Sequence, residues 1–327
     1  LISNNNITAS LPARSIDWSA GTVYSEGICL NDCDNAILYS NDISISSNDK
    51  ISEYDTIYAV MIAGENALVS ENQISVSDAP YGYALVVSGE NFNITENVIF
   101  AGHDESYACG IDVESNSKGA INENMIVVAG DSAYGIYTAN WAGDVQANIT
   151  DNKIFAEGNS VFGMSLSGSQ AMVENNEVSL NGNFTTGIAS AVDMIFITNN
   201  TILANGSNEG TPLGYDTMGI ETIGVHSVSG DALVKYNNIT STGDYTVELD
   251  GTGAVTDNEL VADVLTGDAS VDYVLGDAIV VNNTPAMQKA FISAEDVVMY
   301  YKNGTRYVIR LTDGEGKPLA NKTVTLT

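Results

Sequence analysis

The chain has 327 residues, of which 44% are hydrophobic, and this is enough to bury a sizeable core. Its 11 Lys and Arg residues are outnumbered by 42 Asp and Glu residues, so the formal net charge is −31 at pH 7. A surface this negative repels phosphate backbones, which argues against nucleic acid as a partner. The abundance of Asn, Gly, Ser and Thr, which favour turns, predicts an all-β fold.

A short motif recurs along the chain: an apolar residue, two variable residues, Asn, one variable residue and a second apolar residue. It occurs ten times within residues 2–260. After most copies the apolar residues continue at every second position, as in Ile126 and Val128, which places one face of a strand inward. A second landmark, Gly followed by an apolar residue, precedes most copies, as in Gly163 and Met164. Each unit therefore holds two or three short strands separated by turns.

A unit of this size cannot bury its inward face alone, but units stacked in register bury it against their neighbours. The apolar spacing of two excludes a helical repeat. Because crossovers between parallel strands are overwhelmingly right-handed, we predict a right-handed single-stranded parallel β-helix of about ten coils over residues 1–262. At a strand spacing of ~4.8 Å, the stack is roughly 48 Å long.

The recurring Asn has a structural interpretation. At a corner between strands it can adopt the left-handed backbone conformation, and its amide can bond to the Asn one coil away. We therefore expect a ladder of stacked amides and no ligand site at these positions. The predicted ladder comprises Asn41, Asn72, Asn97, Asn124, Asn152, Asn176, Asn200, Asn237 and Asn258.

The period fades towards the C-terminus. Residues 263–290 are interpreted as a cap or linker that protects the last coil from edge pairing. Residues 291–327 contain strand-like segments at 297–301 and 306–312, with a glycine-rich turn at 313–316. These strands are too few for a complete sandwich, so we expect the N-terminal part of a further β domain, truncated here.

Two groups of segments resemble the adhesin-like surface proteins of methanogenic archaea. Residues 71–74 (E-N-Q-I) and 123–126 (E-N-M-I) resemble their pectate-lyase-like β-helix repeats, and residues 296–304 and 313–324 are similar to the start of their immunoglobulin-like repeats. The resemblance covers nearly the whole chain, and it implies that residues 291–327 are the truncated start of an immunoglobulin-like β-sandwich domain. It implies a secreted protein of the cell surface or cell wall that attaches to glycans or proteins of other cells, with membrane contact only through parts outside this sequence. It implies no particular binding residues.

Parallel β-helices also include polysaccharide lyases and glycoside hydrolases. A hydrolase needs two carboxylates that face the scissile bond, and the chain has no Asp-Asp, Gly-His-Gly or Arg-x-Lys motif. His103 and His226, the only histidines, are expected in solvated segments without a partner. We therefore predict a non-catalytic adhesin fragment. A polysaccharide lyase or glycoside hydrolase and a structural cell-wall spacer without ligand are the alternatives.

Aromatic side chains are the favoured binding feature, because they offer rigid contact area and a polar tip to sugars or proteins. Alternation with inward Ile136 places Tyr137 outward. A purely structural stack of rings along the coils is the alternative interpretation. The candidate ligand-binding residues are Tyr58, Tyr83, Tyr107, Tyr134, Tyr137 and Trp141.

We expect no cofactor. The densest oxygen-rich segments contain Asp32, Asp34 and Asp49, which are the candidate ligands for Ca²⁺, although their spacing is not that of an EF-hand. Cys29 and Cys33 could form a disulfide only across a tight turn, so inert thiols are the expectation.

Overall fold

A computed structural model of the chain describes most of the repeat region and short parts of the C-terminal region. The described ranges are 1–11, 24–47, 55–102, 107–138, 144–207, 223–228, 230–243, 245–249, 251–262, 274–276, 279–283, 291–293 and 310–312. Within these ranges the chain consists of β-strands and turns and contains no helix. The predicted all-β class is therefore confirmed.

The strands are short at both ends of the chain and long in its centre. The first fourteen are β1 (Ile2–Ser3), β2 (Asn6–Leu11), β3 (Tyr24–Leu30), β4 (Ile37–Tyr39), β5 (Asp42–Ser47), β6 (Thr56–Ala63), β7 (Leu68–Ser70), β8 (Gln73–Ser77), β9 (Tyr81–Ser88), β10 (Glu90–Thr95), β11 (Val98–Gly102), β12 (Tyr107–Val113), β13 (Ser117–Asn122) and β14 (Met125–Thr138). The others are β15 (Val145–Thr150), β16 (Lys153–Glu174), β17 (Glu177–Thr198), β18 (Thr201–Gly206), β19 (Ile223–Ser227), β20 (Asp231–Lys235), β21 (Asn238–Ser241), β22 (Tyr245–Leu249), β23 (Thr252–Thr256), β24 (Glu259–Ala262), β25 (Val274–Gly276), β26 (Ile279–Val281), β27 (Phe291–Ser293) and β28 (Arg310–Thr312).

The first 26 strands form one sheet in which each strand pairs in parallel with its counterpart one coil later. Three such series run side by side. The first face follows the recurring Asn and contains β2, β5, β8, β11, the starts of β14, β16 and β17, and then β18, β21 and β24. The second face runs through β3, β6, β9, β12, β14, β16, β17, β19, β22 and β25. The third face precedes the Asn and runs from β1 to β26. This long parallel sheet is consistent with a parallel β-helix.

The core is a set of apolar columns inside the coils. In β8 the side chains of Ile74 and Val76 are buried, whereas those that alternate with them, such as Ser75, face outward. Pairing in register puts Ile74 between Ile43 and Ile99, so each branched side chain covers the next. The alternation read from the sequence is the cause of this burial, because a one-residue slip would turn every apolar side chain to solvent.

The predicted Asn ladder forms. Asn152 is 0% exposed, and its Nδ2 donates to the Oδ1 of Asn176 at 3.0 Å and to the carbonyl oxygen of Ile121 at 2.8 Å. Its own Oδ1 accepts from the backbone N–H and the Nδ2 of Asn124. The same pattern links all nine predicted residues, and it extends to Asn5 at one end and Asn283 at the other.

The predicted left-handed conformation of these asparagines is wrong, because the residue before each ladder Asn has it instead. Asn152 donates from Nδ2 to the carbonyl oxygen of Thr150, two residues earlier, and this bond closes a turn around Asp151, whose φ is +58°. The residues at this corner are Asn4, Ser40, Glu71, Glu96, Glu123, Asp151, Asn175, Asn199, Tyr236, Asp257 and Asn282. The ladder therefore imposes the corner on whatever residue stands there.

The described part of residues 263–290 continues the stack, since β25 pairs with β22 and β26 with β23, both in parallel. Most of the predicted cap lies outside the described residues. In residues 291–327 only β27 and β28 are described, and they form an antiparallel pair. The segment at 297–301 lies outside the described residues, so the immunoglobulin-like domain and the domain boundaries stay predictions.

We expect Gly135→Ala to destabilise the chain by about 1–3 kcal/mol. A Cβ atom at this position would lie 2.5 Å from the backbone oxygen of Gly163 and 2.5 Å from Cγ2 of Ile154, and the oxygen belongs to the next coil and cannot move alone. Gly82→Ala is the matched control, because the nearest atom to its added Cβ lies 3.4 Å away. Urea unfolding midpoints measure both, and a Gly135→Ala midpoint equal to that of Gly82→Ala would contradict the close approach of coils at Gly135.

Candidate functional site

An aromatic column stands on the outer surface of the second face. Strand pairing aligns Tyr58, Tyr83, Cys109, Tyr134 and Phe162 on successive coils. Such in-register stacking brings equivalent rings to about the strand spacing of ~4.8 Å. Cys109 carries no ring, and the ring of Tyr107, two residues earlier in β12, occupies the gap between Tyr83 and Tyr134.

The column is therefore continuous over five coils and consists of Tyr58, Tyr83, Tyr107, Tyr134 and Phe162. Successive ring centroids are 5.1, 5.4, 5.1 and 4.9 Å apart. Tyr137 packs edge-on against Tyr134 at 5.5 Å. The structure thus brings together five of the six aromatic residues predicted from the sequence, whereas Trp141 lies outside the described residues.

Most ring faces of the column are covered by other rings. Tyr134 and Phe162 are only 4% and 7% exposed, and with Cys109 they form a second apolar cluster outside the main core. Tyr83, Tyr107 and Tyr137 pack against this cluster and are partly buried. The column therefore presents ring edges rather than free ring faces, and a ligand would meet it along its flank.

Asp112 lies beside the column, and the sequence analysis did not single it out. It sits on β12, opposite Val86 on one coil and Tyr137 on the other. The residue is partly buried, but its Oδ1 is fully enclosed and has no hydrogen-bond partner among the described residues. Burial, and secondarily the charge of Glu114, raises the pKa of Asp112 to about 7. The only feature of the sequence that pointed to Asp112 was the alternation along the strand, which places it outward on a tyrosine-rich face.

Three further groups of this cluster, Tyr83, Tyr107 and Cys109, have raised pKa values and stay protonated. Burial is the main cause that raises the pKa values of Tyr83, Tyr107 and Cys109, and the carboxylate of Asp112 raises them further. A thiol whose pKa is raised in this way is a poor nucleophile. Cys109 is therefore a packing residue.

The sequence analysis expected His226 in a solvated segment, and this expectation is wrong. It lies on β19, is 8% exposed, and its Nε2 is 3.4 Å from an Oε2 of Glu248 on the next coil. Strand pairing places this pair in the same outward row as Asp112, several coils away along the second face. His103 lies outside the described residues.

Of the predicted Ca²⁺ ligands, the described residues include Asp32 and Asp34, and these two form no metal site there. The Oδ1 of Asp34 accepts a hydrogen bond from the backbone N–H of Glu65 at 2.9 Å, and Asp32 is exposed at a turn with φ +52°. Asp49 lies outside the described residues. Within the described ranges, no three His, Cys, Asp or Glu side chains are grouped so as to hold a metal ion. Cys29 and Cys33 are free thiols.

A polar cleft, which the sequence analysis missed, lies at the corner between the first and second faces. It has a volume of about 480 Å³ and is formed by β14, β16 and β17. Its floor is backbone at three stacked glycines, and side chains stand on both sides. The floor residues are Gly130, Gly158 and Gly182; Glu157 and Asn181 form one wall, and Asp131, Asn159 and Asn183 form the other. The glycines recur in the sequence, but only the register shows that they stack.

Amide hydrogen bonds between coils hold both walls of the cleft. The Nδ2 of Asn183 donates to the Oδ1 of Asn159 at 2.7 Å, and the Nδ2 of Asn205 donates to the Oδ1 of Asn181 at 3.0 Å. The hydroxyl of Ser207 donates to the Oδ1 of Asn183. These bonds orient the amides before any ligand arrives. The cleft is formed in part by β14 and β16, the strands that also carry Tyr134 and Phe162.

No segment of the described chain forms a helix long and apolar enough to cross a membrane. Comparison with known proteins adds no relative: no protein-family model matches the chain, and no curated protein matches it.

Proposed function

We propose that this chain is a non-catalytic part of a cell-surface adhesin, secreted and held at the cell surface or cell wall. In this proposal a right-handed parallel β-helix is the stiff recognition rod, and an immunoglobulin-like domain follows it. The proposal rests on the resemblance of the repeat and tail segments to adhesin-like proteins of methanogenic archaea. The observation that carries it is the adjacency of an aromatic column and a polar cleft on the same strands, β14 and β16.

This combination suits attachment to glycans. Sugars bring both apolar C–H patches and hydroxyl groups, and a recognition site for them combines ring surface with oriented polar groups. The formal charge of −31 favours neutral ligands over anionic ones. Stacked coils with an internal amide ladder keep such a surface ordered before binding, which lowers the entropic cost of association.

Protein partners have a separate surface on the first face. Val98, Phe100 and Met125 stand next to each other there on β11 and β14, and each is at least 39% exposed. Neighbouring exposed apolar side chains of this kind are a candidate contact surface for a protein partner. A spacer without ligand would not need this exposed apolar group, which is why the spacer ranks below the adhesin.

Asp112 gives the enzyme alternative its one supporting observation. A carboxyl group with a pKa of about 7 can act as a general acid at neutral pH, and a hydrolase of the β-helix class would need such a group. The adjacent coils place Val86 and Tyr137, not carboxylates, opposite it in register. Glu114 is the nearest carboxylate along the strand. A hydrolase that used Asp112 would lose turnover in Asp112→Asn.

A glycan array probed with the purified chain tests the proposal, with mass spectrometry of the recovered glycans. We expect retention of intact glycans and about tenfold weaker binding for Tyr137→Ala, because this tyrosine forms the edge of the aromatic flank. Phe155→Ala is the matched control, since Phe155 is an equally partly buried aromatic residue on the first face. Shortened glycans would establish an enzyme instead. If the chain retains neither glycans nor partner cells, the structural spacer without ligand is the remaining candidate.

A further inference from the structure

We propose that the polar cleft between the first and second faces binds a hydroxyl-rich, uncharged saccharide. The proposal rests on the proposed function and names the ligand class and the site within it. Its basis is the glycine floor, the pre-oriented amide walls and the sign of the charge at the cleft.

The size and shape of the cleft come from residues without side chains. Its volume of about 480 Å³ falls within the range of small-molecule sites, about 300–1,000 Å³. Gly182 stacks on Gly158 so closely that a Cβ atom at Gly182 would lie 2.5 Å from the Gly158 backbone oxygen. A side chain at Gly182 would therefore push apart the coils that form the floor of the cleft.

The walls provide hydrogen-bonding groups with fixed directions. Each amide is held by one on the neighbouring coil, as Asn183 is by Asn159, so little side-chain freedom is lost when a ligand binds. Amides both donate and accept, which matches the dual character of sugar hydroxyls. The Nδ2 of Asn181 makes no hydrogen bond to another described residue, and it is a donor available to the ligand.

The charge of the cleft selects against acidic sugars. Asp131 and Glu157 are its ionisable groups, and both are carboxylates that accept hydrogen bonds from hydroxyls. A uronate, sulfate or phosphate group would meet these carboxylates without a cation in the cleft wall. The ligand class is therefore neutral saccharide.

Titration calorimetry of the whole 327-residue chain tests the site with mannotetraose and cellotetraose as neutral probes, tetragalacturonate as the acidic probe, and CaCl₂ alone. We expect a neutral probe to bind, and Asn181→Ala, Asn183→Ala and Asp131→Asn each to weaken it by about tenfold. Asn148→Ala is the matched control, because Asn148 is an exposed amide on the third face. Thermal unfolding of every variant shows whether its fold is retained.

Each other outcome overturns the site in a recognisable way. A neutral probe that binds the cleft variants as tightly as the original chain would remove the cleft from recognition but leave the adhesin intact. Preference for tetragalacturonate would refute the charge argument. A heat of binding for Ca²⁺ alone, lost in Asp131→Asn, would make the cleft a cation site. Absence of binding to both neutral probes would refute the saccharide site, and attachment of the chain to whole cells would then decide whether the adhesin proposal fails with it.

Discussion

Asn152→Ala is expected to destabilise the chain by about 3–5 kcal/mol. The side chain of Asn152 makes bonds to both adjacent coils and to its own strand. Its removal leaves the backbone N–H of Asn124 without its acceptor and takes the amide donor away from the carbonyl oxygen of Ile121, in a site with no access to water. Unsatisfied buried groups of this kind cost about 1–3 kcal/mol each, and partial relaxation keeps the sum below the simple total.

Urea unfolding of three variants separates the ladder from simple loss of volume. Asn152→Asp keeps the size but replaces the donor by an oxygen that faces the Oδ1 of Asn176, so we expect it to lose at least as much stability as Asn152→Ala. Asn148→Ala, on the same coil but exposed, should stay within about 0.5 kcal/mol of the original chain. A loss below about 1 kcal/mol in Asn152→Ala would show that the ladder is not a main source of stability.

The ladder and the parallel stack were predictable because both depend on regular spacing. The Asn positions and the alternation after them are properties of single repeats, and stacking in register follows from the need to bury the inward face. The corner conformation was not predictable from residue preference. Glu123 and Tyr236 adopt positive φ, which neither residue favours, because the ladder amide closes the turn around them.

The length of the central strands also differs from the expectation of two or three short strands in each unit. β16 and β17 each run for 22 residues through two corners as one continuous strand. They pair with each other along nearly the whole path, so the backbone stays paired while it bends, although their partners on the other sides are separate, shorter strands. Local sequence contains no signal for this, because the pairing at a corner depends on the neighbouring coils having corners of equal length.

The candidate site was only partly predictable for a similar reason. Alternation places Tyr83 and Tyr134 on one face, but the filling of the gap at Cys109 by Tyr107 depends on ring packing between coils. The enclosure of Asp112 is a consequence of the same packing, since its neighbours on adjacent coils happen to be Val86 and Tyr137. Side chains contributed by three coils create this environment, and no single repeat contains it.

Asp112→Asn is expected to stabilise the chain at pH 8 by about 2–3 kcal/mol and to change its stability little at pH 4. The folded chain holds the Asp112 proton up to a pKa of about 7, whereas the ordinary value is 3.8. Between these values the folded state binds more protons than the unfolded state, so the free energy of unfolding falls as the pH rises and is constant above about pH 7. The difference between these two pKa values corresponds to about 4 kcal/mol of unfolding free energy. The partial exposure of Asp112 reduces this contribution to the expected value of about 2–3 kcal/mol.

Urea unfolding of the original chain and of Asp112→Asn, measured from pH 4 to pH 8, tests this expectation, because the difference between the two cancels all other titrating groups. Glu114→Gln is a graded control: its charge is the second cause of the raised pKa of Asp112, so its removal should stabilise the chain at pH 8 by less than Asp112→Asn does. A difference between Asp112→Asn and the original chain that does not change with pH would mean that Oδ1 has access to water or to a partner. A stability gain at pH 8 without loss of glycan binding would identify Asp112 as a buried charge tolerated by the aromatic cluster, whereas loss of binding with that gain would make it part of the recognition surface.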